Sequence, residues 1–180
     1  MTDMAREAGI TKPILYRHFG SKAGLGGAIA ERFAELLFAE LATSGFSVDR
    51  PREWIAGAID SYLRFAEKEA VIHHFLYRQA SREAPEVRTA LDGFCAQIAE
   101  QIAAILRVQL SAARLDTAPA EPWAHGTVGL VRAAAGWWLD TRSMPRQQLL
   151  DHLVTLVWKG YASVPSAGAL EGYSRTTTDP

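Results

Sequence analysis

The stretch TDMAREAGITKPILYRHFGSKAGL, residues 2–25, decides the fold, because it combines two short helical segments with two glycine breaks. Gly9 follows the first segment and can form the left-handed turn that ends a helix. Thr11 is a residue type that caps a second helix, which Gly20 ends, and Ser21 can cap a third. The stretch therefore predicts a helix-turn-helix that continues into a longer helix.

The second short helix has the composition of a DNA recognition helix. Such a helix enters the major groove with its N-terminal end first, so small or polar residues come early and phosphate-binding groups lie on its flanks. The candidate DNA contacts are Thr11, Lys12, Tyr16, Arg17, His18 and Lys22. In the alternative interpretation, Tyr16 and Phe19 are core residues and the basic side chains form only a solvated helix face.

The charge of the chain is unevenly distributed. The 180 residues carry a net charge of −1, yet four basic and two acidic residues between Met1 and Gly24 give that end +2 and leave −3 for the remainder. A basic end on an acidic body fits a protein that contacts a polyanion at one end. With 48% hydrophobic residues, the chain is long enough to bury a sizeable core.

The sequence also indicates a compartment. Cys95 is the single cysteine, so no intramolecular disulfide can form, which agrees with a reducing environment. The sequence has neither a signal-peptide pattern nor an apolar run of the roughly 20 residues that a membrane-spanning helix needs. We therefore expect a cytoplasmic protein without membrane contact.

The rest of the chain repeats its apolar residues at helical spacing, and no alternating run is long enough for a confident strand. Helices are predicted over residues 22–41, 52–68, 70–80, 85–110, 123–141 and 146–161. The fold class is therefore all-α, with a head over 1–42, a helical body over 43–162 and a loose tail over 163–180. Three glycines within residues 24–27 predict a weakened start of the third helix.

Residues 2–25 resemble the DNA-binding signature of the TetR family of transcriptional repressors. The matching features are an Ala-Gly-Ile turn, the run Thr-Lys-x-x-Leu-Tyr-x-His-Phe and a Gly-Ser-Lys break, all at fixed spacing. The resemblance implies an all-α homodimer on a palindromic double-stranded operator, without a cofactor, contacted through Thr11, Lys12, Tyr16, His18 and Lys22. It also implies a C-terminal domain that binds a small-molecule effector, which releases the repressor from DNA.

One departure from the family pattern bears on this function. Family members have a further helix before the segment that begins at Thr2, so we expect the helix-turn-helix to lack part of its apolar cover. The affected residues are Met4, Ala5, Ala8, Leu15, Phe19 and Leu25. The alternative function is therefore a helical dimer that binds a small molecule but not DNA.

An enzyme is the remaining class of function. The sequence has no nucleophile elbow, no paired catalytic carboxylates and no metal-ligand cluster, so we assign no catalytic and no metal-binding residue. His73 and His74 are adjacent on a predicted helix, where neighbouring side chains point about 100° apart and do not converge on one ion.

The body supplies candidates for an effector site and a dimer interface. Aromatic and histidine side chains with polar tips suit a hydrophobic or aromatic effector, although they can equally form an ordinary core. These candidates are Tyr62, His73, Tyr77, Phe94, Trp123 and Trp137. The last two helices suit a four-helix bundle between subunits, or alternatively an intramolecular core. The interface candidates are Leu130, Ala134, Trp138, Leu149, Leu153, Val154, Val157 and Trp158.

Overall fold

The computed structural model describes residues 2–42, 50–80 and 84–162, and within these ranges the secondary structure is helical, without a strand. The helices are α1 (Thr2–Glu7), α2 (Lys12–Phe19), α3 (Lys22–Ala42), α4 (Pro51–Lys68), α5 (Ala70–His74), a π-helix (Phe75–Ala80), α6 (Pro85–Ala112), α7 (Ala120–Thr141) and α8 (Arg146–Ala162). The all-α prediction is confirmed. The predicted tail lies outside the described residues, and the domain boundaries stay predictions.

The structure differs from the predicted helices at two places. The segment predicted as one helix over residues 70–80 is α-helical to His74 and continues as a π-helix, which carries Tyr77. Helix α7 begins at Ala120, three residues earlier than predicted, because the preceding loop is tied by a side chain: Asp116 Oδ1 accepts the Ala118 N–H at 3.0 Å. Ala120 is fully buried, so the first turn of α7 already belongs to the core.

The breaks between the first three helices follow the sequence signals. Gly9 and Gly20 have positive φ angles, +65° and +68°, which glycine adopts without steric cost. Ser21 Oγ accepts the Gly24 N–H at 3.0 Å and so caps α3. Thr11 occupies the N-cap position of α2, but its side chain makes no capping hydrogen bond. The predicted hydroxyl cap at Thr11 is therefore wrong, and its hydroxyl is not used to hold the start of α2.

Helix α3 belongs to the head and to the body at once. Its first turn contacts α2, whereas its later turns pack against α4 and α6. Phe33 meets Phe65 of α4 edge-on, with ring centroids 4.9 Å apart, and Phe38 meets Phe94 of α6 at 4.8 Å. Edge-to-face pairs of this kind add to the stabilisation from burial. A rearrangement of the body therefore acts directly on the helix that carries the head.

Gly26 explains part of the glycine run at the start of α3. A Cβ atom added at Gly26 would lie 2.9 Å from Cγ2 of the buried Val87, whereas one added at Gly27 would meet no atom within 4 Å. Among the three glycines at the start of α3, Gly26 is therefore the one at which a side chain would clash with α6. The prediction that the run only weakens the helix misses this packing role.

The predicted dimer-interface residues lie mainly inside one subunit. Helix α8 packs along α4, and five of the named side chains are at most 8% exposed: Trp138, Leu149, Leu153, Val154 and Val157. The others, Leu130, Ala134 and Trp158, are half-buried against the same cluster. Side chains that are already covered within a subunit have no surface left for a second one. The structure therefore corrects the interface assignment for the five buried residues and favours the intramolecular alternative.

Polar contacts fix the connection between α7 and α8. Trp138 is 1% exposed, and its indole Nε1–H donates to the Met144 carbonyl at 2.7 Å. The Arg142 guanidinium lies 4.5 Å from the Trp138 ring centroid, and its Nη1 pairs with Glu67 Oε1 of α4 at 2.7 Å. Arg146 pairs with Asp60 and Glu67 of α4. The buried indole of Trp138 thus stabilises the turn between α7 and α8, and two arginines connect this turn to α4 through ion pairs.

Candidate DNA-binding surface and effector cavity

The polar face of α2 points away from the protein. Leu15, 4% exposed, packs inward, and Ala5 of α1 is similarly buried at 3%. The six candidate DNA contacts are all exposed: Thr11, Lys12, Tyr16, Arg17, His18 and Lys22. The buried Leu15 fixes the rotation of α2, so that its candidate side chains face solvent. Lys22 lies next to them, at the start of α3.

Tyr16 lies on this face and not in the core. Its side chain is 42% exposed, and Lys12 Nζ lies 5.9 Å from its ring centroid. The alternative interpretation of Tyr16 as a core residue is therefore wrong. Lys22 lies in the first turn of α3, where the positive end of the helix dipole favours an anion such as a phosphate.

The apolar side of the helix-turn-helix is partly covered. Ala5 and Leu15 are buried, so the expectation that they lack cover is wrong. Phe19 and Leu25 are half-buried and line an apolar groove beside α3, while Ala8 is exposed. The side chain of Met4 lies outside the described residues.

The body contains an apolar cavity between α3, α4, the π-helix, α6 and α7. Its volume is about 90 Å³, several times the space that a water molecule needs. Three of the predicted effector-site residues line it: Tyr62 from α4, Tyr77 from the π-helix and Phe94 from α6. Ile98 and Val131 add aliphatic walls. The lining therefore has the apolar composition of a ligand site, in a volume well below the roughly 300 Å³ at which typical ligand pockets begin.

The other predicted effector residues lie elsewhere. His73 sits behind the cavity, where its Nε2 is 3.1 Å from the Tyr62 hydroxyl. Trp137 is 48% exposed and lines a neighbouring cleft, which His73 and Tyr77 also line and which shares Tyr77 and Arg132 with the cavity. Trp123, in the first turn of α7, is half-buried and lines neither. Five of the six predicted residues therefore line the cavity or the cleft that adjoins it.

The polar groups around the cavity are held neutral. Burial lowers the pKa of His73 to about 4, and the positive charge of Arg132 and the neighbouring His74 act in the same direction. Burial also raises the pKa values of the Tyr62 and Tyr77 hydroxyls and of the Cys95 thiol. At neutral pH these four side chains therefore contribute hydrogen-bonding groups and no charge.

Arg132 is the cavity residue that sequence reasoning missed. It lines the cavity from α7, with its guanidinium carbon 5.4 Å from the Tyr77 ring centroid and Nη1 3.9 Å from Cys95 Sγ. A signal for this position exists in the sequence. Val128, Val131 and Ala135 recur at helical spacing around Arg132, which places the arginine on the apolar face of α7.

The described residues contain neither a candidate metal site nor a helix that could span a membrane. No group of three or more His, Cys, Asp or Glu side chains is placed to hold a metal ion within them. His73 points into the core, whereas His74 Nδ1 lies 3.5 Å from Asp140 Oδ1, so the two imidazoles do not share a ligand. Over the same parts of the chain, every helix is too short or too polar to cross a membrane.

Two family models match the chain. The model "Bacterial regulatory proteins, tetR family" matches residues 1–29, which contain α1, α2 and the start of α3. The model "Tetracyclin repressor-like, C-terminal domain" matches residues 51–160, more than half of the chain.

Similar proteins come from several bacteria. An uncharacterized HTH-type transcriptional regulator of Mycobacterium tuberculosis is 28% identical over 169 residues, which cover 93% of this chain and 71% of that protein. The HTH-type transcriptional activator FasR of Mycolicibacterium smegmatis is 22% identical, over 92% of this chain and 74% of FasR. The crystal structure of a TetR-like transcriptional regulator from Rhodococcus sp. RHA1 is 28% identical, with a TM-score of 0.69 over 88% of this chain and 82% of that one. A TetR-family structure from Syntrophomonas wolfei shares the fold, with a TM-score of 0.74 at 10% identity, over 93% of this chain and 86% of that one.

Proposed function

We propose that this chain, which belongs to the TetR family of bacterial regulatory proteins, is a repressor. A small hydrophobic or aromatic effector would release it from DNA. Family membership makes it a DNA-binding transcription regulator and not an enzyme. The proposal adds the direction of regulation, a palindromic operator, a homodimer and the chemical nature of the effector. It places the protein in the cytoplasm, where the operator is.

The observation that carries the proposal is the solvent face of α2. The buried Leu15 fixes the helix so that Lys12, Tyr16 and His18 face outward. Together with the family-model match over residues 1–29, this arrangement favours DNA binding over the alternative of a helical dimer that does not bind DNA. In the proposed complex the basic side chains contact phosphates, and α2 lies in the major groove.

The proposed dimer uses the outward faces of α7 and α8. Leu156 of α8 is 57% exposed and Trp137 of α7 is 48% exposed, whereas the other large apolar side chains described on these helices are buried or half-buried. Large exposed apolar side chains of this kind are enriched at protein interfaces. A twofold arrangement of these faces would place two α2 helices for successive major grooves.

Effector binding would act through α3. The cavity is lined by α3, α4, α6 and α7, and α3 packs against α4 and α6 through its later turns. A molecule that binds one position of these helices better than another shifts the population toward that position. The head would then leave the spacing that fits the operator, and the affinity for DNA would fall.

Replacing Lys12 by alanine should weaken operator binding by about tenfold and lower the salt dependence, because each dimer loses two phosphate contacts. The slope of log K against log salt should become less steep by about 2. Fluorescence anisotropy with a duplex selected from a random pool by the unaltered protein measures both quantities. The control is Lys68→Ala, which removes an exposed cation from the end of α4 and should leave the binding curve unchanged. A protein that selects no duplex, or whose binding is independent of salt, does not have the proposed function.

Replacing Leu156 by aspartate should shift the dimer toward monomer by at least about tenfold in the dissociation constant, since a charge would be buried in the interface. Size-exclusion chromatography with light scattering over a concentration series measures the shift. Val108→Asp on α6 is the matched control, because Val108 is 60% exposed and apolar but lies on another helix. Dissociation by the Val108 variant alone would move the interface to α6.

A further inference from the structure

We infer that the effector is a carboxylate with a hydrophobic body, and that Arg132 binds its carboxylate at the mouth of the cavity. This inference rests on the proposed function only in calling the bound molecule an effector. The site itself follows from the position of one cation in an apolar cavity.

The guanidinium of Arg132 has more hydrogen-bonding capacity than its neighbours use. Arginine carries five N–H donors, and its contacts are a weak one to Cys95 Sγ at 3.9 Å and a ring contact to Tyr77. Among the described residues, no carboxylate oxygen lies within 4.0 Å of Arg132, although six other arginines do form such pairs: Arg32, Arg50, Arg64, Arg107, Arg142 and Arg146.

The cavity side of Arg132 lacks a resident anion among the described residues. No acidic side chain lines the cavity within the ranges the structure describes, and Arg132 is its single charged lining residue there. The Tyr62 hydroxyl is already engaged with His73. Arg132 is half-buried and has apolar walls on its cavity side, so an anion that reaches it from that side gains a charge-assisted hydrogen bond.

The position of Arg132 sets the orientation of the ligand. Arg132 lines the cavity and also two surface clefts between α6 and α7, so it stands where the apolar interior meets solvent. A carboxylate at this point can face the guanidinium while the hydrocarbon part lies against Phe94 and Ile98.

The charge near Arg132 favours a single negative charge on the ligand. Asp92 lines both clefts without pairing with Arg132, and the larger cleft also contains Arg88, His74 and Asp140. Within the described ranges Arg132 is the single charged residue that lines the cavity, so one negative charge on the ligand is balanced there and a second one is not. One planar guanidinium matches one planar carboxylate.

Isothermal titration calorimetry at pH 7.5 tests the inference with hexanoate, decanoate and benzoate, each compared with the corresponding alcohol. At least one acid should bind about tenfold or more tightly than its alcohol, the range of a charge-assisted hydrogen bond. Arg132→Met should remove the preference for the acid, and Arg132→Lys should keep part of it. Arg88→Met, which removes the other arginine of the larger cleft, should keep the full preference.

Melting curves of the four proteins show whether each variant is folded, and the lysine variant provides the test if the methionine variant is not. Equal affinities for acids and alcohols, no binding of any acid, or an unchanged preference in Arg132→Met would overturn the inference. The DNA assay separates this result from the proposed function. Binding of the selected duplex without binding of any acid would support the proposed function and contradict the inference. Binding of an acid without binding of any duplex would support the inference and contradict the proposed function.

Discussion

The Trp138→Ala variant should lose about 3–5 kcal/mol of its free energy of unfolding, the usual cost of removing a buried tryptophan. The indole is 1% exposed and donates a hydrogen bond to the Met144 carbonyl at 2.7 Å. Its removal leaves a cavity between α7 and α8, an unpaired carbonyl and a guanidinium of Arg142 without its ring contact. Urea unfolding followed by circular dichroism measures the loss.

Trp137 provides the matched control for this prediction. It is the neighbouring residue on the same helix, but its side chain is 48% exposed. Measured in the Leu156→Asp background, where the proposed dimer no longer contributes to stability, Trp137→Ala should therefore cost less than about 1 kcal/mol in the free energy of unfolding. If the two variants were equally stable, and Trp138→Ala instead dissociated the dimer, Trp138 would be an interface residue after all.

The stability of the protein should fall as the pH drops from about 6.5 to 4, because protonation of His73 favours unfolding. In the folded state the pKa of His73 is lowered to about 4, whereas an unfolded histidine has a pKa of about 6.5. Between these values the unfolded chain binds more protons than the folded one, so stability increases with pH. This stability is fully present above about pH 7, and its loss reaches about 3 kcal/mol by pH 4, at up to about 1.4 kcal/mol per pH unit.

Urea unfolding curves at pH 7, 6, 5 and 4 measure this dependence. His73→Gln removes the titrating group and keeps a polar atom near the Tyr62 hydroxyl, so its stability should vary less with pH than that of the unaltered protein. His125→Gln, which removes an exposed imidazole from α7, should retain the original pH dependence. A His73→Gln variant with the same pH dependence as the unaltered protein would show that His73 is not the responsible group.

Much of the fold follows from local signals in the sequence. Gly9, Gly20 and Ser21 act at single positions through backbone freedom or a side-chain cap, and the structure uses all three as expected. The apolar spacing of α4 likewise predicts its buried face, because Ile59, Tyr62 and Leu63 repeat at helical intervals. Signals of this kind need no knowledge of which helix packs against which.

The sequence does not show which helix covers each buried helix face. The spacing of Leu149, Leu153 and Val157 shows that one side of α8 is buried, but not that α4 of the same subunit covers it. The need for glycine at position 26 arises from Val87, more than 60 residues away. Arg132 was overlooked because arginine is usually exposed, and its place beside the cavity depends on α4, α6 and the π-helix together.

Helix α3 has a mechanical consequence for the distance between two heads. Its 21 residues form one continuous rod of about 30 Å, which is seated in the body from Gly26 to its C-terminal end and carries α2 on its first turn. Tilting such a rod by about 5° around its seated end would swing the other end by nearly 3 Å, so two subunits tilting in opposite senses would change their separation by about 5 Å. Adjacent grooves of DNA repeat every 34 Å or so, and a displacement of that size is a sizeable fraction of a groove's width. In the proposed dimer, a small shift of the body under the C-terminal end of α3 would therefore be enough to move α2 out of register with the groove.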